Sequence, residues 1–212
     1  MKEKETKKDI SVQLINWYKK KGRKLPWRDD SRNGYEILIA EVLLQRTTAV
    51  SVNKIYEKFL KRFPNFETIF LSNEKELLKI ISNLGFHFRT KVLKRIAQQL
   101  KQRNYEIPKE KEELLKLYGI GDYMASAIRV FMFNINDPIL DSNMRRISER
   151  FWGCENDEEM KAQLFELAEE LPKVTYCALL DLCWFICRAK PKCSICPINR
   201  HCLFFKKSKK KN

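Results

Sequence analysis

The sequence has no run of 18 or more apolar residues, which excludes a hydrophobic membrane-spanning helix. Its opening, MKEKETKKD, has no apolar core of the kind a secretory signal needs, so a cytoplasmic protein is expected. No stretch alternates with the period of two that marks a half-buried strand, and no segment repeats. What remains is an all-α chain of helices and loops. Glycine is scarce: six occur in 212 residues, so the pair Gly119 and Gly121 stands out. Acidic residues are also short, 27 against 42 basic, giving a net charge of +15. The C-terminal run Lys206, Lys207, Lys209, Lys210 and Lys211 supplies only five of those charges, and the other ten belong to the folded part. That balance calls for a polyanion. Nucleic acid ranks first and an anionic membrane surface second. At 44% hydrophobic, the chain can bury the core of one compact unit or two small ones.

The centre of the sequence is LLKLYGIGDYMASAIRVFMFNINDPILDSNMRR, residues 114–146. One helix ends at Leu117, a Tyr118-Gly119-Ile120-Gly121 turn follows, and a second helix opens at Asp122, a good cap residue. Met124, Ala127, Ile128, Phe131 and Met132 recur at the spacing of a buried helix face. Alternating glycines permit positive φ and a close approach of the backbone to another surface, and a helix N-terminus suits a phosphate. Spacing alone equally allows an ordinary helix corner. Asp141 follows Pro138-Ile139-Leu140 at the start of a third, basic helix. By itself it reads as a cap.

Upstream, Met1 to Lys8 is charged and expected to fray. Helices are expected over residues 10–20, 35–46, 52–63, 74–83, 89–103 and 109–117. Leu25-Pro26-Trp27-Arg28 reads as an extended connector with Trp27 stapled onto the core. Glu41 is embedded among Ile37, Leu38, Ile39, Ala40, Val42, Leu43 and Leu44. A carboxylate there is paired, open to a cleft or shifted in pKa, unless it simply faces water. Near the end, Cys187, Cys193, Cys196 and Cys202 are spaced C-x5-C-x2-C-x5-C. Four thiolates so close bind zinc or an iron–sulfur cluster, and spacing does not choose between them. Cys183 is a weak alternative first ligand. Cys154, Cys177 and Cys183 otherwise read as buried small hydrophobes. Arg188, Lys190 and Lys192 are placed for phosphates or are plain solvated surface.

The hairpin, Pro-Ile-Leu-Asp about twenty residues on, and the cysteine cluster together resemble the helix-hairpin-helix DNA glycosylase superfamily, which includes endonuclease III, MutY and Mig. The likeness runs from about Trp17 to Cys202. LPWR resembles MutY and Mig, and Leu43-Leu44-Gln45-Arg46-Thr47-Thr48-Ala49 resembles the Mig pattern of thymine/uracil–guanine mismatch glycosylases. The resemblance implies a two-lobed fold. A helical domain would span residues 25–135, and a cluster domain 1–24 plus 136–212, with Tyr123 and Asp141 in the cleft. It implies a [4Fe–4S] cluster on the four cysteines, with zinc as the lesser alternative, although this first loop holds five residues where the family has six.

The resemblance also assigns roles. Asp141 would stabilise the cationic sugar as the glycosidic bond breaks. Gln45, with Arg46, would fill the duplex where the nucleotide has left. His87, in the turn Phe86-His87-Phe88-Arg89, would touch the flipped base or be a plain turn histidine. Tyr123 stands where bifunctional members carry the Schiff-base lysine. It therefore implies a monofunctional enzyme, unless it is purely structural. Glu41 corresponds to the MutY general acid, and for a pyrimidine it would instead bond the base edge or water. The expected protein is a monomeric, prokaryotic, nucleoid-associated base-excision glycosylase acting on mispaired double-stranded DNA. Two alternatives stand beside it. One is a shortened adenine glycosylase, with no room after Cys202 for MutY's further domain, and the other is a non-catalytic DNA-binding module.

Overall fold

The computed structural model describes residues 2–85 and 87–209, so Met1, Phe86 and the final residues with Lys210 and Lys211 lie outside the described part. Helix α1 spans Lys2–Lys21. Then come α2 (Gly34–Leu44), α3 (Ala49–Asn53), α4 (Tyr56–Arg62), α5 (Phe66–Leu71), α6 (Glu74–Ile81), α7 (Phe88–Lys101), α8 (Lys111–Leu115) and α9 (Asp122–Phe133). The rest are α10 (Ser142–Phe151), α11 (Asp157–Leu167), α12 (Pro172–Phe185) and α13 (Leu203–Lys209). No strand occurs among the described residues.

The chain divides into two compact units, residues 24–133 and residues 1–23 with 134–212. In the first, α2 lies centrally against α3, α7, α9 and the short 3-10 turn Pro26–Arg28. Its apolar residues leave no polar face, and a helix apolar all round is stable only when surrounded. Asn33 starts it with a capping box to Glu36. Trp27 packs edge-on against Tyr56, with ring centroids 5.4 Å apart, so it is the expected staple, although Pro26–Arg28 is a 3-10 turn and not extended chain. In the second unit, α1 lies against α11 and α12, and α10 against α11, α12 and α13.

Several boundaries differ from expectation. Helix α1 continues back to Lys2 instead of fraying, and Lys7 and Lys8 pair with Glu166 and Glu170 near the end of α11. The helix expected over residues 52–63 is two, because Thr48 caps an earlier start and Ile55, at φ −121°, breaks the run. Helix α5 had no strong periodic signal. Asn65 starts it through a capping box with Thr68, and Lys94 Nζ donates to the carbonyls of Ile69 and Phe70 at its end.

The second unit is pinned by a buried ion pair. Asp181 of α12 is 0% exposed and accepts from the Arg23 amide at 2.6 Å and from Arg23 Nε at 2.7 Å. Removing one partner of such a pair strands the other. Asp181→Ala should therefore cost about 3 kcal/mol, measured as a lower denaturant midpoint at unchanged slope. An unshifted midpoint would mean that water already serves Arg23.

Candidate functional site

The hairpin turn is built on one glycine. Gly119 has φ +77°, and a Cβ there would meet Val92 Cγ2 at 2.8 Å, so both conformation and space require glycine. Gly121 differs from expectation: its φ is not positive, and nothing lies within 4 Å of where its Cβ would be. It leaves open space in front of α9. Asp122 is the first helical residue rather than the cap, and its carboxylate pairs with Lys111 Nζ at 2.8 Å. Gln99 of α7 ties the turn from below. Its Oε1 accepts from the Tyr118 amide at 2.7 Å, and its Nε2 donates to Lys116 O at 2.9 Å. Tyr123, one residue into α9, is 40% exposed.

The 45–48 loop meets the same hairpin. Gln45 Nε2 donates to Gly119 O at 3.3 Å and lies 3.9 Å from Met124 Sδ. Arg46 is exposed and takes φ +53°, a left-handed conformation unusual for a side chain larger than glycine. His87 is exposed. It contributes its carbonyl, which accepts from the Thr90 amide and hydroxyl at the start of α7, and its neighbour Phe86 lies outside the described residues.

Glu41 does not face water: it is 6% exposed within α2. Burial pushes its carboxyl up to about 7, opposed by the charge of Arg28. Its folded pKa thus lies above the 4.5 of an ordinary glutamate, so the fold loses stability as pH rises from 4.5 towards 7. Glu41→Gln should remove that loss, matching wild type at pH values below the window and exceeding it above by on the order of 3 kcal/mol. Denaturant midpoints on both sides of the window check this, and a constant difference across it would rule out a titrating Glu41.

In the other unit Asp141 caps α10. Its Oδ1 accepts from the amides of Asn143 (2.9 Å) and Met144 (2.8 Å), and its Oδ2 accepts from Asn143 Nδ2 at 2.9 Å. Three donors fix the carboxylate, yet two oxygens have capacity for more. Asn143 Oδ1 accepts from Arg146 Nη2 at 2.8 Å, and Arg146 Nε donates to Cys187 O at 2.9 Å.

Cys187, Cys193, Cys196 and Cys202 line one cavity of about 30 Å³, otherwise walled mainly by apolar residues of α10, α12 and the tail. Burial pushes the Cys196 thiol up to about 12 and raises Cys193 and Cys202, with neighbouring thiols adding to each shift. Four thiolates coexist there only with positive charge among them. Arg150 supplies some, its Nη1 lying 3.8 Å from Cys187 Sγ. The same guanidinium donates to Arg188 O (2.6 Å) and Ala189 O (3.1 Å), holding the short first loop. Cys183 is absent from the cavity wall and donates to Asn143 O at 3.5 Å.

A family model described as the HhH-GPD superfamily base excision DNA repair protein matches residues 39–173. The chain belongs to that superfamily. A thymine/uracil-DNA glycosylase of Pyrobaculum aerophilum is 35% identical over 92% of the chain and 90% of its own length. A thymine-DNA glycosylase of Aeropyrum pernix is 37% identical over 91% of the chain and 92% of its own. An adenine DNA glycosylase of Buchnera aphidicola is 36% identical over 89% of the chain, which spans only 56% of that relative. Among solved structures, a thermostable thymine-DNA glycosylase superposes with a TM-score of 0.86 at 30% identity, covering 96% of this chain and 98% of that one. A non-covalent endonuclease III–DNA complex superposes at 0.79 with 24% identity over the same shares, a likeness of fold.

Within this HhH-GPD chain the structure brings Gln45 to the hairpin and the four cysteines to one cavity. Tyr123 and Glu41 belong to one unit and Asp141 to the other. Sequence reading assigned no role to Gln99, Asn143, Arg146 and Arg150, which hold backbone groups or other side chains far from them in sequence or, for Asn143, the neighbouring Asp141. It also missed Arg89, although Arg89 shares the helical spacing of Val92, Leu93 and Ile96 and so falls on the buried side of α7.

Proposed function

We propose that this protein is a monofunctional mismatch DNA glycosylase that releases thymine or uracil opposite guanine. The observation that carries the reading is Tyr123, exposed at the start of α9, where strand-cleaving relatives need an amine. A phenol can stack on or bond to an extruded base but cannot form a Schiff base. The named activities of the Pyrobaculum and Aeropyrum relatives support the pyrimidine.

The chemistry then falls to few groups. A base inside a duplex is out of reach, so the nucleotide must rotate out, with Gln45 filling the gap. Breaking the C1′–N bond leaves positive charge on the sugar. The Asp141 carboxylate, held by its three donors, stabilises that charge without having to reorganise. Water adds its oxygen to C1′ and gives a proton to the departing base, leaving an abasic site and free thymine or uracil. Gly121 opens the N-terminus of α9 to a backbone phosphate. A second reading, adenine release, draws on Glu41. A carboxyl with a pKa of about 7 is protonated often enough at neutral pH to act as a general acid towards a purine.

The four cysteines fit a [4Fe–4S] cluster. The thiols line one cavity, a soft donor set that suits either a cluster or zinc, and the likeness of the cysteine loop to the family favours the cluster. Cys187, Cys193, Cys196 and Cys202 would hold the cluster, which would neutralise their thiolates and tie the tail together. Purified protein should be brown, with about four irons per chain; a colourless protein with one zinc would select the other metal.

Asp141→Asn should keep the fold and DNA binding but slow base release by about 10²-fold or more, because the amide removes the negative charge. Near-normal turnover would exclude Asp141 from the mechanism. Tyr123→Lys places an amine at the same position and should add strand breaks without alkali and a borohydride-trapped covalent complex. Equal trapping by wild type would mean that another amine already acts and that the enzyme is not monofunctional.

A further inference from the structure

Helix α2 ends in partly buried residues, Leu44 and Gln45, and its last carbonyls need donors. The chain leaves it at a sharp corner, with Gln45 at ψ 121° and Arg46 at φ +53°. Arg89, the second residue of α7, is 0% exposed. Its Nε donates to Leu43 O at 3.1 Å, its Nη1 to Gly85 O at 2.7 Å, and its Nη2 to Gln45 O. The first and last acceptors belong to the end of α2 and the corner carrying Gln45 and Arg46. The middle one belongs to the turn before α7. Gly85 sits at φ +67°, ψ −163°, a region essentially closed to other residues.

A guanidinium holds its donors in a planar fork, so carbonyls bound to one fork are fixed relative to one another. Burying that charge is costly unless its donors are used. A leucine would fill the same side of α7 without the cost, since Val92, Leu93 and Ile96 follow at helical spacing. The charge at this position therefore serves the corner and the turn more than the core. The Gln45 side chain meanwhile rests on Gly119 O, so the backbone of the corner is held by Arg89 and its amide by the hairpin.

We propose that Arg89 is a positioning residue for base extrusion: it clamps the Gln45–Arg46 corner and the Gly85 turn into one rigid edge that enters the duplex as the target nucleotide leaves. This rests on the glycosylase reading. A loose edge would still meet DNA but would be slow to occupy the vacated space. Misplacement of about 1 Å is worth as much as 10²-fold in rate.

Two variants test it. Arg89→Met keeps much of the volume and loses every donor, while Arg89→Lys keeps the charge and replaces the fork with one nitrogen. Duplexes carry a G:T mispair with 2-aminopurine beside the thymine, whose fluorescence rises on unstacking, or a preformed abasic site opposite guanine. Both variants should bind abasic DNA with near wild-type affinity, whereas the fluorescence rise and single-turnover base release on the mispair should slow by about 10²-fold. Variants that extrude at the wild-type rate overturn the proposal, as does an equal loss on abasic and mispaired DNA, which a merely structural role would give. If Arg89→Met does not fold, Arg89→Lys carries the comparison. Wild-type protein that extrudes but releases no base would sink the glycosylase reading and leave the role of Arg89 to the fluorescence alone.

Discussion

A helix that is apolar on every side must be buried, and its last carbonyls still need donors. Helix α2 sets this constraint for residues 24–133: Ile37, Leu38, Ile39, Ala40, Val42 and Leu43 are all in the core. At its C-terminus the guanidinium of Arg89 satisfies two carbonyls, those of Leu43 and Gln45. The rest of the unit follows from that arrangement. Helix α7 must run beside α2 to bring Arg89 there, and the same helix presents Gln99 to the hairpin and Val92 to Gly119. The corner at Gln45 and the hairpin turn are thus held by one helix. Glu41, the buried one of the two acids in α2, bears the electrostatic cost of the same burial.

The other unit meets an analogous problem with sulfur. Around one small cavity burial raises the pKa of Cys193, Cys196 and Cys202, and the neighbouring thiols add to each shift. A metal-bearing group would offset the charge of four thiolates there. The loop it would bind is already tied to α10, through Arg146 to Cys187 O and through Arg150 to the carbonyls of residues 188 and 189. Asp141 caps that same helix. The proposed cluster and the proposed catalytic carboxylate therefore share one element, which explains why a tail of irregular structure belongs in the fold.

Much of this was legible in the sequence because it was local. The Gly119 turn, the Asp141 cap, the cysteine spacing and the period of α7 and α9 are short-range patterns, and each leaves its mark within a few residues. Glu41 stood out as a carboxylate among apolar residues, but whether it faced water depended on neighbours far along the chain. The break at Ile55, the extra helix at Phe66–Leu71 and the extension of α1 to Lys2 were not legible, since caps and distant ion pairs set them. Arg89 lay in plain view at a core position of a periodic helix. An arginine at a basic helix's start reads as surface, and only the carbonyls it meets, 44 and 46 residues away in Gln45 and Leu43, show otherwise.

Single-turnover base release from four duplexes that differ only in the mispair tests the proposed chemistry most directly. The mispairs are T:G, U:G, A:G and A opposite 8-oxoguanine. Thymine and uracil should be released from the first two, leaving abasic sites that break only on alkali treatment, and adenine should stay in place in the others. Release of adenine without thymine or uracil would contradict the assigned specificity. Binding to all four with no base released would contradict the assignment of an enzyme.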